Sequence, residues 1–324
     1  MPRRFSMQVA LPLSAVVLAL TLLGCGANGN DEVRPASASP AEVLEETRTF
    51  IDTTRSTPAN GTEPASDHRE LVTRLWYAPG ALNAPACRGD RCALLLLAHG
   101  FGGNTMRFDA IARLLASAGY IVVAPAFPLT NDHAPGGHLN GFSDGMEQPA
   151  DVSFVLDEML AANDARADPL YGRIDAARIG VVGHSLGGTT VLGATRVACC
   201  TDARIDAVVL VAPAAFFVPN YFDTPAGPEG PPTLLVNGSD DVLILPQASL
   251  EFVHTLDPPW YFLEIAGVGH VFLIENIGDP QPFLYVTARA ATAFFDEYLG
   301  AQDGATVATL NALVAEGEAA EYAE

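Results

Sequence analysis

Gly183-His184-Ser185-Leu186-Gly187-Gly188 sets one serine between glycines two positions away on either side. That spacing suits a nucleophile carried on a sharp strand-to-helix turn. A Cβ at either flanking glycine would meet neighbouring backbone, and the turn aims the serine hydroxyl outward in a strained conformation. A hydroxyl is a weak nucleophile, so acyl transfer by Ser185 requires a base to take its proton and an acid to orient that base. Both are present downstream. Asp240 and Asp241 follow the apolar run Leu234-Leu235-Val236 and the turn Asn237-Gly238-Ser239. His270 ends the glycine-rich stretch Gly267-Val268-Gly269-His270, just after Trp260–Ile265. Either aspartate suits the acid role by position, the other then capping the turn or facing solvent. The order serine, aspartate, histidine differs from the two other serine-hydrolase orders. The implied chemistry is nucleophilic attack on a carbonyl, with no metal and no cofactor.

These groups act together only if the elements carrying them align. Ala93–Ala98 is a continuous apolar run, the mark of a strand buried on both faces. Further strands are predicted at 47–54, 71–77, 120–126, 178–183, 207–212, 233–236 and 260–265. Helical spacing appears at 108–115, 152–160, 186–198, 246–256 and 282–299. Repeated strand–helix units of this length predict an α/β fold with a mostly parallel central sheet flanked by helices. One catalytic domain over 46–300 accommodates them, with no internal repeat. The Ala- and Glu-rich tail after it, to residue 324, reads as a loosely docked helix or as unstructured chain.

Over most of residues 47–299 the chain resembles the α/β-hydrolase superfamily. Phe50–Arg55 and Arg74–Pro79 are similar to platelet-activating-factor acetylhydrolase-like and dienelactone-hydrolase-related enzymes. His99-Gly100-Phe101-Gly102-Gly103 and the serine motif also resemble cutinase-like polyester hydrolases and chlorophyllases. The resemblance implies carboxylic-ester hydrolysis through an acyl-enzyme. It makes His99–Gly103 the oxyanion loop, with the backbone N–H groups of Phe101 and Leu186 as donors. It also selects Asp241 over Asp240, because the acid usually stands three residues after the loop glycine. Two departures stand out. Dienelactone hydrolases have a cysteine where this chain has Ser185. Cutinase-like enzymes usually have a methionine at Leu186 and a tryptophan where Pro213–Phe216 falls. The leading expectation is a serine esterase for small or lipid-like esters, with polyester hydrolysis as the alternative. A peptidase lacks room for its usual gating domain, and a silent binding lipoprotein would be expected to show a broken triad.

Composition narrows the field further. All 17 basic residues are Arg, so catalysis by a lysine amine is excluded. A formal charge of −21 opposes nucleic-acid binding. Residues 1–24 carry Arg3, Arg4 and an apolar run, as an export signal does. Leu22-Leu23-Gly24-Cys25 resembles a lipobox, which implies lipidation at Cys25, a tether over 25–45 and outer-membrane anchoring through that lipid; the alternative is an ordinary secretory signal and a secreted protein. Cys87 and Cys92 bracket a short polar loop, while Cys199 and Cys200 are adjacent, and three connectivities are open. A metal at Cys87 and Cys92 lacks a second ligand pair. Asn131, Asp132, His133, His138 and Asp144 match no metal spacing and read as a loop bordering the cleft. Phe127, Phe142, Phe216 and Phe217 either line an apolar acyl pocket or pack in the core.

Overall fold

The apolar runs become strands in the computed structural model, which describes residues 42–276, 282–319 and 321–324. The signal segment, Cys25 and most of the tether lie outside the described residues. In chain order the elements are β1 (Leu44–Asp52), β2 (Arg69–Tyr77), β3 (Cys87–Arg88), β4 (Arg91–Ala98), α1 (Asp109–Ser117) and β5 (Ile121–Pro125). There follow α2 (Gln148–Asp164), β6 (Ile174–His184), α3 (Leu186–Arg196), β7 (Ile205–Val211), α4 (Val218–Phe222) and β8 (Thr233–Gly238). The last are α5 (Pro246–Val253), β9 (Trp260–Ile265), α6 (Pro282–Phe295), α7 (Ala305–Ala315) and β10 (Glu321–Ala323).

The described residues form one sheet of ten strands in the order β1-β2-β5-β4-β6-β7-β8-β9-β10, with β3 paired to β4. From β5 to β9 every neighbouring pair is parallel, while β1, β2, β3 and β10 join antiparallel. The central strands are apolar on both faces because both faces are covered. On one face Leu95, Leu97, Val122 and Val209 pack with α1, α6 and α7. On the other, Leu94, Leu96, Val181 and Leu210 pack with α2, α3 and α5. The expected mostly parallel, helix-flanked sheet is therefore present.

The C-terminal segment is docked. Leu310 and Leu313 of α7 are fully buried, and β10 extends the sheet beside β9. Its alanines carry no strong hydrophobic period, which left a docked helix and unstructured chain both open in the sequence; two leucines one turn apart anchor the helix. Both disulfides are local. Cys87 pairs with Cys92 across β3 and β4, and Cys199 pairs with Cys200 just after α3.

One buried ionic cluster braces the start of β2. Arg69, with no exposed surface, donates to Asp144 at 2.8 and 3.0 Å and to Asp151 at 2.8 and 2.6 Å. Two bidentate pairs satisfy the fork of the guanidinium, which is how a charge stays buried at tolerable cost. The cluster ties α2 and the Phe142–Met146 turn to the sheet.

Candidate active site

Register brings the strand ends together. Ala98 pairs with Gly183, so the turn after β4 emerges beside the turn after β6. Gly238 pairs with Ile265, so the turns after β8 and β9 are also neighbours. All four lie at the carboxyl ends of parallel strands, where α/β sheets open their binding crevices.

Ser185 is the residue between β6 and α3. Its φ of 53° and ψ of −117° lie in a region non-glycine residues rarely adopt. About 1–3 kcal/mol of strain is held there by the surroundings. The Ser185 N–H donates to the Val211 carbonyl at 3.0 Å, and its own carbonyl accepts from Gly188 and Ala214 N–H groups at 2.9 Å each. The turn closes only over bare glycine backbone. A Cβ on Gly183 would sit 2.4 Å from the Gly187 oxygen, and one on Gly187 would sit 2.0 Å from the Ala98 oxygen. Gly187→Ala is therefore expected to lose more than about 3 kcal/mol of stability or fail to fold. Gly269→Ala, whose Cβ would stand 3.7 Å from its nearest neighbour, is expected to fold; thermal melts of the two compare them.

The loop after β4 is built on His99, 1% exposed. The Phe127 N–H donates to His99 Nε2 at 3.0 Å, so that nitrogen is the acceptor and Nδ1–H donates to the Gly100 carbonyl at 2.8 Å. Burial favours the neutral ring and pulls its pKa down. Gly102 N–H donates to Thr130 at 2.8 Å and Asp132 N–H to Gly103 at 3.0 Å. These bonds hold Phe101 at the mouth. Leu186 is the first residue of α3, where an N–H has no acceptor within the helix. Phe101 and Leu186 thus belong to two turns carried on paired strands.

Asp241 is 2% exposed. Its Oδ1 accepts from the Leu243 and Ile244 N–H groups at 2.9 Å each, and its Oδ2 lies 2.7 Å from His270 Nδ1. The carboxylate only accepts, so the Nδ1 proton faces it and Nε2 is the basic nitrogen. Burial alone would raise the Asp241 pKa, but the bonds from His270 and the two amides hold it below the usual carboxylate range. Asp240 is exposed and its carboxylate meets Ser239 Oγ at 3.0 Å instead. The two loops are also laced by backbone: Ser239 N–H donates to Ile265 at 2.9 Å and Asp240 N–H to Val268 at 3.1 Å.

Two further residues adjoin these loops: His184, which the serine motif contains without a role of its own, and Glu275. His184 and Glu275 are both buried, and His184 Nδ1 lies 3.1 Å from Glu275 Oε1. Arg107 Nη1 donates to Glu275 Oε2 at 3.1 Å. Burial would raise the Glu275 pKa; His184 and Arg107 overcome it and draw it down to about 2. Glu275 belongs to no motif, and only its fold neighbours reveal it.

The remaining candidates separate. Phe127 is fully buried against His99 and belongs to the core. Phe142 stacks edge-on with Phe101 at 5.3 Å and with Phe217 at 5.0 Å, while Phe216 is 59% exposed. The polar loop residues serve different partners: Asp144 goes to Arg69, Asp132 to Asn104 and His133, and His138 packs edge-on against Phe101. Beyond Pro213 and Ala215 an apolar groove of about 760 Å³ runs between Phe216, Leu243, Leu245 and Phe252.

A family model described as PET hydrolase-like matches residues 52–288. A probable 1-alkyl-2-acetylglycerophosphocholine esterase of Arthroderma benhamiae is 32% identical over 136 residues, covering 37% of this chain. The chain spans 31% of the length of that relative. A ferulic acid esterase from Streptomyces cinnamoneus superposes with a TM-score of 0.59 at 23% identity, over 82% of this chain and 92% of that one. That likeness bears on the fold, which is the α/β-hydrolase fold. With the family match spanning most of the sheet and all four site loops, the chain belongs to the PET hydrolase-like family.

Proposed function

We propose that the protein is an exported serine hydrolase of carboxylic esters, with Ser185, His270 and Asp241 as nucleophile, base and acid. The observation that carries this reading is the 2.7 Å bond between His270 and the buried Asp241, on loops adjoining a strained Ser185. Ser185 Oγ attacks the ester carbonyl carbon while His270 Nε2 takes its proton. Asp241 holds the tautomer and stabilises the imidazolium that forms. The Phe101 and Leu186 N–H groups hold the oxyanion; losing one such donor costs about 3–4 kcal/mol of transition-state stabilisation. The alcohol leaves with the proton from His270. Water, deprotonated by His270, then hydrolyses the acyl-serine ester.

Small or lipid-like esters are the substrate class favoured. The acetyl ester in the relative's name and the wholly apolar character of Phe216, Leu243 and Leu245 beside the cleft agree with it. The family description favours a second reading, hydrolysis of a polyester chain laid along that open groove. Both disulfides agree with export to an oxidising compartment; anchoring through a lipid at Cys25 rests on the run Leu22-Leu23-Gly24-Cys25 alone.

A p-nitrophenyl ester series from acetate to palmitate tests the reading. Turnover highest with the short acyl groups is expected. A maximum at palmitate would point instead to a lipase-like site. No turnover with any member, and no covalent labelling of Ser185, would favour a binding module.

A further inference from the structure

His184, the residue before the nucleophile, faces an acceptor at each ring nitrogen. Nδ1 lies 3.1 Å from Glu275 Oε1, and Nε2 lies 3.1 Å from the His270 carbonyl oxygen. A neutral imidazole has one N–H and would turn a lone pair on one of these oxygens. Only the imidazolium donates to both. The surrounding charges allow it. Glu275, 3% exposed, is shared between His184 and Arg107, whose Nη2 reaches Asp132 Oδ2 at 3.5 Å. His99, on the loop that packs against the His184 ring, is neutral by its own hydrogen bonds. The His270 ring stands 4.9 Å from the His184 ring, centroid to centroid. Charge thus alternates from the half-buried Asp132 and Arg107 to the buried Glu275.

We infer that Glu275 holds His184 as an imidazolium, and that the pair are positioning residues for His270. The His184 Nε2–H bond fixes the backbone carbonyl beneath the His270 ring, and so fixes where the ring's own Nε2 points. The Asn276 N–H, next to Glu275, donates to the Arg107 carbonyl at 2.7 Å and ties the same loop to the segment following His99–Gly103. The Glu275 charge has a second effect. When His270 takes a proton, a cation appears beside His184, and Glu275 is the anion that offsets the pair. Neither effect involves contact with substrate. The kinetic part of this inference rests on the serine-hydrolase reading; the charge state of His184 does not.

Nitrogen-15 NMR of the imidazole rings at pH 8, where a free imidazole is neutral, reads that charge state directly. The His184 signals are assigned by their loss in His184→Gln. Both His184 nitrogens are expected to carry protons in the wild-type protein, and only one in Glu275→Gln. That variant keeps the shape and an acceptor but removes the charge. Its kcat on p-nitrophenyl acetate is expected to fall about 10²-fold, the scale of a small misplacement of a catalytic group, with KM nearly unchanged. A neutral His184 in the wild-type protein, or a Glu275→Gln enzyme with wild-type kcat, would overturn the inference. If Glu275→Gln does not fold, the wild-type spectrum alone decides. If the wild-type protein turns over no ester, the hydrolase reading fails while the spectrum still reports on His184.

Discussion

Ser185→Ala is expected to lower kcat on any ester the protein hydrolyses by about 10⁴-fold or more, leaving KM close to its wild-type value. The proposed oxyanion donors are the backbone N–H groups of Phe101 and Leu186, and the substitution leaves both in place. Alanine has no Oγ to form the acyl ester, so water must attack directly and only the slower, templated reaction remains. The variant should fold. Among the described residues Ser185 Oγ makes no bond that closes the turn, whereas its backbone makes three, to Val211, Gly188 and Ala214. Alanine at φ 53° carries the strain serine already carries. A wild-type melting temperature with activity lost is therefore the expected pair of results. Activity retained at more than about a tenth of wild type would remove Ser185 from the reaction.

Asp241→Asn is expected to lower kcat by about 10⁴-fold, while Asp240→Asn changes it by less than about threefold. The difference comes from what each carboxylate touches. Asp241 is buried, with Oδ1 saturated by two amide N–H groups and Oδ2 committed to His270. An asparagine keeps its carbonyl on the amides and turns its NH₂ toward His270, whose Nδ1 must then accept. The proton moves to Nε2, the nitrogen that has to be basic, and the tautomer is wrong for catalysis. Asp240 bonds only the neighbouring Ser239 hydroxyl and faces solvent, so its loss removes little. Kinetics of the two purified variants on one ester decide between them. Equal losses, or a larger loss at Asp240, would move the acid.

The parts of this molecule that were legible in the chain are those governed by local rules. Ala93–Ala98 and Ala207–Val211 had to be doubly covered strands, because continuous apolar runs of that length cannot face water. Gly183 and Gly187 announced the elbow because the turn has no room for a Cβ. Asp240 and Asp241 were equal by position, and only the family resemblance preferred Asp241; its carboxylate lies against His270, while that of Asp240 meets Ser239. What was not legible depends on distance along the chain. Glu275 meets His184 across 91 positions, and a lone acid in a loop has no pattern that points to such a partner. Arg69 belongs to no motif, and Asp144 and Asp151 close on it from 75 and 82 residues away. The alanine-rich C-terminal segment left a docked helix and unstructured chain both open, because two buried leucines and a three-residue strand leave almost no period. Phe127 read equally as pocket wall or core because aromatic residues after a strand serve both; its place is in the core beside His99.

The central claim is that Ser185 forms a covalent bond to an electrophile because His270 and Asp241 activate it. Reaction of the purified protein with a fluorophosphonate, followed by proteolysis and mass spectrometry, tests it most directly. A single adduct on the peptide carrying Gly183–Gly188, localised to Ser185 and strongly slowed in Asp241→Asn, is the predicted result. An adduct on another residue, or an unmodified Ser185 in protein that hydrolyses esters, would contradict it.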